Sequence, residues 1–420
     1  MALAVARRVL PNGVTLVAAR NRLIPAVSVA IGVDAGATAE PAGAPGTAAL
    51  LARVLDRGTG RYDAAAIADA LESRGASLSV GASRQQIVVS ATCLVGDIAA
   101  VLPVACAVVR EPSLPEHEVA TRRADLLTAI QEAADDPGSV AVDALLATLY
   151  PGGHPFGRPV RGTVEAVSAL SRADLATFHH ARFAPAATTV VAVGDVDAEA
   201  LLDGIAAEFQ DWRGQAPPVL PTPAPPPRLA RALVVKPMPD KAQADVAYGF
   251  VGMARQDSDY YAALVMNNAL GQYAMGGRLG DSIRERQGMA YYVYSALDAG
   301  REAGPLMVRA GVAAANVERT IASIDTELAA VLSQGFTATE VDDAKRYLIG
   351  SLPRQLETNG GIAGFLLATE LYGLGIDHDV RLPRLIDAVT PDDVARVARR
   401  LLDPARAVVV VAGPWSGPAA

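Results

Sequence analysis

Residues 216–228, APPVLPTPAPPPR, fall almost at the middle of a chain of 420 residues. Closely spaced prolines remove backbone donors and hold the backbone extended, so this stretch joins no sheet or helix and separates what lies on either side. The two sides match each other. Ser171-Arg-Ala-Asp-Leu-Ala, Pro185 and residues 190–194 align without gaps, at an offset of 219, with Thr390-Pro-Asp-Asp-Val-Ala, Pro404 and residues 409–413. Near the start of each side the match returns at an offset of 217, pairing Leu16-Val17 with Leu233-Val234 and residues 29–32 with 246–249. A repeat of this length constrains the fold more than any local motif, because one architecture has to serve both copies.

Within each copy the local signals are mixed. Ser171 and Thr390 each precede a helical pattern with an aspartate three residues on, the spacing of an N-terminal capping box, and a β-branched run follows the proline in both. The spacing of apolar residues predicts helices over 63–75 and 119–134, and alternation predicts a strand pair over 77–82 and 86–95. Strands and helices do not alternate as in a doubly wound parallel sheet. The expectation is therefore α+β: a domain over 1–215 and a second over 229–420, joined by the linker 216–228, each an antiparallel-rich sheet with helices on one face in a clamshell.

Bulk properties exclude several function classes. Lys and Arg number 37 against 45 Asp and Glu, a formal charge of −8, which argues against nucleic acid as a partner because such binding rests on positive charge. Every apolar run is interrupted too early to span a bilayer, and Met1 to Arg8 lead almost directly into Pro11-Asn12-Gly13, so the chain as given reads as cytoplasmic, or periplasmic if a leader has been removed. Cys93 lies on one face of a strand pattern and Cys106 in an apolar run, so the two read as core thiols rather than a disulfide or metal pair. The five histidines include neither His-x-x-Glu-His nor its inverse; His179 and His180 are adjacent, about 100° apart on a helix, and all five read as surface or loop residues. Residues 271–278 superficially resemble a phosphate loop but lack its Lys-Ser/Thr, and no Gly-x-Ser-x-Gly elbow is present.

One segment carries chemistry. Gly277-Arg-Leu-Gly-Asp-Ser-Ile-Arg-Glu-Arg-Gln-Gly288 reads as a short helix stopped by glycine, followed at once by the aromatic strand Met289-Ala-Tyr-Tyr-Val-Tyr-Ser295. Arg284 in the last turns and Tyr291 on the first strand residues could converge on one junction, where a guanidinium and a phenol would hold a peptide carbonyl and stabilise charge developing on its oxygen. The same residues also suit a solvated helix-end cation beside Asp281 and Glu285 and an ordinary strand aromatic.

Leu10-Pro-Asn-Gly-Val-Thr-Leu, residues 46–59, Asp135-Asp-Pro137, His154-Pro-Phe-Gly-Arg-Pro159, Gly162-Thr, Val193-Gly-Asp195 and Ile283-Arg-Glu-Arg-Gln-Gly-Met-Ala-Tyr291 follow in an order that covers nearly the whole chain. Together they resemble the pitrilysin/insulinase superfamily of zinc peptidases, and look most like the bacterial relatives of mitochondrial processing peptidase. That family's catalytic helix reads Gly-x-Ala-His-x-x-Glu-His. Against it, Ala49 stands at the first histidine, Ala52 at the general-base glutamate and Arg53 at the second histidine, and the third ligand, a glutamate, falls on Ala129. The resemblance therefore implies no metal cofactor in this chain and no hydrolysis by it alone.

The family's substrate-contacting arginine and tyrosine match Arg284 and Tyr291. The resemblance implies a zinc-less subunit that grips a peptide or unfolded-protein substrate, pairs with a homologous zinc-motif subunit as a heterodimer, and leaves zinc to that partner. In this reading Gly276 and Gly277 belong to a flexible substrate-binding approach. The rival expectation is a non-catalytic assembly protein of insulinase-like fold.

Overall fold

The computed structural model describes residues 3–218, 222–272 and 276–418. Before the linker lie strands β1 (Val5–Val9), β2 (Thr15–Arg20), β3 (Ala26–Val33), β4 (Ser77–Ala82), β5 (Ile87–Leu94) and β6 (Thr188–Gly194). After it come β7 (Ala232–Pro237), β8 (Ala244–Val251), β9 (Ala290–Leu297), β10 (Pro305–Val312) and β11 (Val408–Gly413). The first sheet has the order β1-β2-β6-β3-β5-β4 and the second β7-β11-β8-β10-β9. Apart from the extra β1, these are one topology: first strand, last, second, fourth, third. In each sheet the first and last strands of the set run parallel and the other neighbours antiparallel.

The two sequence offsets close on each other through the pairing register. Leu16 lies opposite Val190, and Leu233 opposite Val409, so residues matched at 217 pair with residues matched at 219. Both capping boxes form: Ser171 with Asp174 starts the helix Arg172–Arg182, and Thr390 with Asp393 starts Pro391–Leu401. The α+β expectation for two related sheets holds, and the helix predicted over 119–134 begins one turn earlier, at Glu116.

Each sheet buries one face under helices of its own side of the linker. In the first, Val27, Val29 and Ile31 of β3 and Val89 and Ala91 of β5 pack in one core with Leu50, Leu51, Val104 and Val108. In the second, Val246 and Tyr248 of β8 and Val308 and Ala310 of β10 share a core with Met266, Ile324, Leu328 and Val397. The alternation of β5, with Ile87, Val89, Ala91 and Cys93 inward, is what a half-covered strand requires, whereas β3 is buried at every residue.

That complete burial has a cause the local pattern does not show. The chain forms two compact units, and each takes one helical segment from across the linker: Pro353–Val380 belongs with the first, Gln131–Arg158 with the second. Within the first unit the helix Asn359–Leu371 packs on β3 and β6, so closely that a Cβ on Gly32 would stand 2.8 Å from Leu367 Cδ1. Asn359 Nδ2 donates to the Ala26 carbonyl at 2.8 Å and fixes the helix end. Within the second, the helix Pro137–Leu149 lies on β8 and β11, burying Ala141, Leu145 and Leu149 against Ala247, Val408 and Val410. Helices thus line one face of each sheet as expected, and a single helix covers the other.

The linker residues 222–228 have no regular structure and are held within the second unit. Pro223 O is 2.8 Å from His154 Nε2, and Arg228 donates to Thr148 O at 3.1 Å. His154 and His378 are buried, and the expectation of surface or loop histidines fails for His378, which starts the helix His378–Asp387 and stacks on Phe365, and for His179, which is largely buried within the helix Arg172–Arg182. Cys93 and Cys106 are both buried free thiols.

His179 gives the chain a pH dependence. Its ring stacks on Phe183 and its Nε2 meets Val109 O at 2.9 Å, and burial lowers its pKa to about 4. An unfolded histidine titrates near 6.5, so between pH 6.5 and 4 the unfolded chain binds the extra proton and stability falls as pH falls, by roughly 3 kcal/mol in all. Urea midpoints measured across this range should show that slope flattened in His179→Gln; an equal slope in both proteins would assign the acid sensitivity elsewhere.

Candidate functional site

The resemblance puts the family's metal-motif positions on and around the helix Thr47–Val54. Its N-terminus is held by Glu40, a buried carboxylate whose Oε1 accepts from Ala48 N at 2.8 Å and whose two oxygens share Gly46 N at 3.1 Å. A buried acid in that place satisfies helix-end donors and complements the helix dipole. Leu50, Leu51 and Val54 face the core, which turns Ala49 and Arg53, four residues apart, to the accessible side; Ala52 is buried with the core residues. Ala129 is half-buried on the helix Glu116–Ala134, beside the buried Leu126 and Ile130. Three alanines and an arginine offer no metal donor, and among the described residues no group of three or more His, Cys, Asp or Glu is arranged to hold a metal ion.

Arg284 and Tyr291 lie on either side of one turn in the second unit. The helix expected over 277–288 is wider than an α-helix: Gly280–Arg286 is a π-helical stretch, a geometry that recurs at functional sites. Gly288, at φ +60°, ends it, with Gly288 N donating to Arg284 O and Met289 N to Ile283 O, both at 3.1 Å. The Arg284 guanidinium is 44% exposed and stands 3.7 Å from Glu285, itself 47% exposed, a solvated pair of little energetic weight. The strand then starts at Ala290, and β9 is the outer strand of its sheet.

Tyr291 occupies an irregularity that the sequence does not announce. Ala290 pairs with Val312 and Tyr292 with Gly311, so two residues of β10 face three of β9 and Tyr291 is the unpaired residue of a β-bulge. Bulges bend a strand and re-aim a side chain. Tyr291 is 77% exposed, and among the described residues its hydroxyl makes no hydrogen bond. An exposed aromatic with an unused donor on a sheet edge is poorly explained by packing.

The glycines expected to form a substrate approach are placed differently from each other. Gly276 is exposed, whereas Gly277 is buried, with its Cα so near Gly271 that an added Cβ would stand 2.8 Å from Gly271 Cα. The next residue is anchored, Arg278 making paired bonds of 2.8 and 2.7 Å to Glu340 and lying over the Phe336 ring. Tyr273–Met275 lie outside the described residues.

The molecule thus repeats one α+β sheet, the first copy with the helix Thr47–Val54 on its core and the second with an exposed Arg/Tyr turn at its outer strand. Comparison with known proteins gives the family. The model for insulinase (peptidase family M16) matches residues 16–164, and that for the peptidase M16 inactive domain matches 169–348. An uncharacterised zinc protease of Mycobacterium tuberculosis is 33% identical over 96% of this chain and 91% of that protein. A probable mitochondrial-processing peptidase subunit beta of Schizosaccharomyces pombe is 28% identical over 64% of this chain and 59% of its own length. The crystal structure of a peptidase M16 inactive domain from Pseudomonas fluorescens superposes over the full length of both chains with a TM-score of 0.91 and 27% identity. The chain belongs to the insulinase family of peptidases, M16.

Proposed function

We propose that this chain is the substrate-gripping subunit of a heterodimeric zinc peptidase, supplying Arg284 and Tyr291 to an active site whose His-x-x-Glu-His motif belongs to a homologous partner. The activated water and the general base come from that partner, and this chain's part is to bind and orient a peptide or unfolded-protein substrate. The Tyr291 hydroxyl donates to the scissile carbonyl oxygen as negative charge develops there, and the Arg284 guanidinium binds the neighbouring peptide backbone. The single observation that carries this reading is the exposed Tyr291 on its bulge, one turn beyond a half-exposed arginine, where among the described residues the Tyr291 hydroxyl makes no hydrogen bond and Arg284 has only its solvated pair with Glu285. Gly276 and Gly277 complete the approach. We assign the repeats to 1–215 and 229–420, with 216–228 between them.

The test is reconstitution. Purified chain and a zinc-motif M16 subunit from the same genome should coelute on gel filtration and cleave a quenched-fluorescent peptide only when mixed. In that pair, Arg284→Ala should raise KM by about tenfold with a smaller loss in kcat, because a charge-assisted backbone contact acts in ground and transition states alike. Assembly with undiminished kinetics in the variant would instead favour a scaffold of the insulinase fold.

A further inference from the structure

Beside the bulge, on the sheet face opposite the second unit's main core, a polar cluster crosses three strands. Asp245 of β8, Gly311 of β10 and Tyr292 of β9 lie in one row across the sheet. Gly311 is what lets the outer two meet, since a Cβ there would stand 2.5 Å from Tyr292 Cε1. The phenol passes over this gap and donates to Asp245 Oδ2. Arg309 completes the group, its NH2 donating to Asp245 Oδ1 at 3.1 Å and to the Tyr292 oxygen at 3.2 Å, and its NH1 to the Tyr294 oxygen at 3.4 Å. The start of the helix Pro137–Leu149 closes over it, with Gly138 so near that a Cβ would stand 2.4 Å from Arg309 NH2. Asp245 is buried, and a buried carboxylate bonded to a guanidinium and a phenol resists rearrangement, because breaking it strands a charge.

The cluster bears directly on Tyr291. Ala290 and Val293 both point into the core, yet in an unbroken strand residues three apart face opposite ways. One extra residue between them is therefore required. With Tyr292 tied to the far face, the residue left over is Tyr291. We propose that Asp245, Arg309 and Tyr292 are positioning residues, a brace that fixes the bulge and with it the direction in which the Tyr291 phenol leaves the sheet edge. This rests on the reading of Tyr291 given above. Released from the brace, β9 is free to slip by one residue at this end, which would carry Tyr291 to a different face.

Two variants test it. Tyr292→Phe removes only the donating oxygen, and Gly311→Ala pushes a methyl group into the path of the ring. In purified chain carrying 3-fluorotyrosine, the Tyr291 fluorine resonance, assigned by its loss in Tyr291→Phe, should shift or broaden in both variants while thermal unfolding stays cooperative. In the reconstituted pair kcat should fall by roughly 10- to 100-fold with KM within about twofold, as for a displaced catalytic group. A Tyr291 signal that stays in place in both folded variants overturns the brace. A signal that moves while turnover is unchanged leaves the brace standing and overturns the role given to Tyr291. Should Gly311→Ala fail to fold, Tyr292→Phe carries the test.

Discussion

Replacing Tyr291 with phenylalanine should lower turnover of the reconstituted pair by on the order of 10² to 10³, the scale for deleting one donor to a developing oxyanion. The ring is 77% exposed and its hydroxyl bonds to nothing among the described residues, so the variant loses no internal contact and should fold and unfold as the parent does. That separation of stability from activity gives the experiment its force. Binding should change little, because a donor aimed at charge that exists only in the transition state acts on kcat rather than KM. Turnover equal to the parent's, with the pair assembled on gel filtration, would make Tyr291 a surface aromatic and the chain a scaffold.

Rebuilding the metal site should change zinc content from near zero to near one ion per chain. The triple variant Ala49→His, Arg53→His and Ala129→Glu supplies donors at the three positions where the resemblance puts the family's ligands. Ala49 and Arg53 are four residues apart on the accessible side of Thr47–Val54, the spacing at which two imidazoles can share a metal. Glu40 holds the helix end independently of those side chains, so the helix should survive the change. Elemental analysis after dialysis against zinc measures both proteins. Stoichiometric zinc in the parent chain, or none in a correctly folded variant, would break the correspondence between these positions and the metal ligands.

The duplication was legible because it repeats in residues with fixed local roles: an N-cap and its aspartate, a proline before a strand, a β-branched run buried on both faces. These act within a few residues of themselves, and the structure forms them where the sequence places them. The exchange of helices was not legible. Asn359–Leu371 and Pro137–Leu149 are apolar helices of ordinary composition, and nothing local states which sheet they cover; the uninterrupted burial of β3 and β11 hints at a second layer without saying what supplies it. At the candidate site the residue types and their separation could be read directly, but the bulge could not, because it arises from Ala290 and Val293 both seeking the core and from Tyr292 reaching a carboxylate 47 positions away. Glu40 escaped for the same reason, since its partners are backbone groups that exist only once the helix has formed.

The exchanged helices also change what the proline-rich linker does. A protease that cuts within 216–228 divides the polypeptide without dividing either fold. The fragment before the cut still contributes Leu145 and Leu149 to the second unit's interior, and the fragment after it still lays Leu366 and Leu367 into the first. Each piece is thus the missing layer of the other, and a nicked molecule is held together by two hydrophobic cores rather than by one peptide bond. In such a chain covalent continuity and structural integrity are separate properties, and the same architecture could be encoded as two polypeptides that fold only in each other's company.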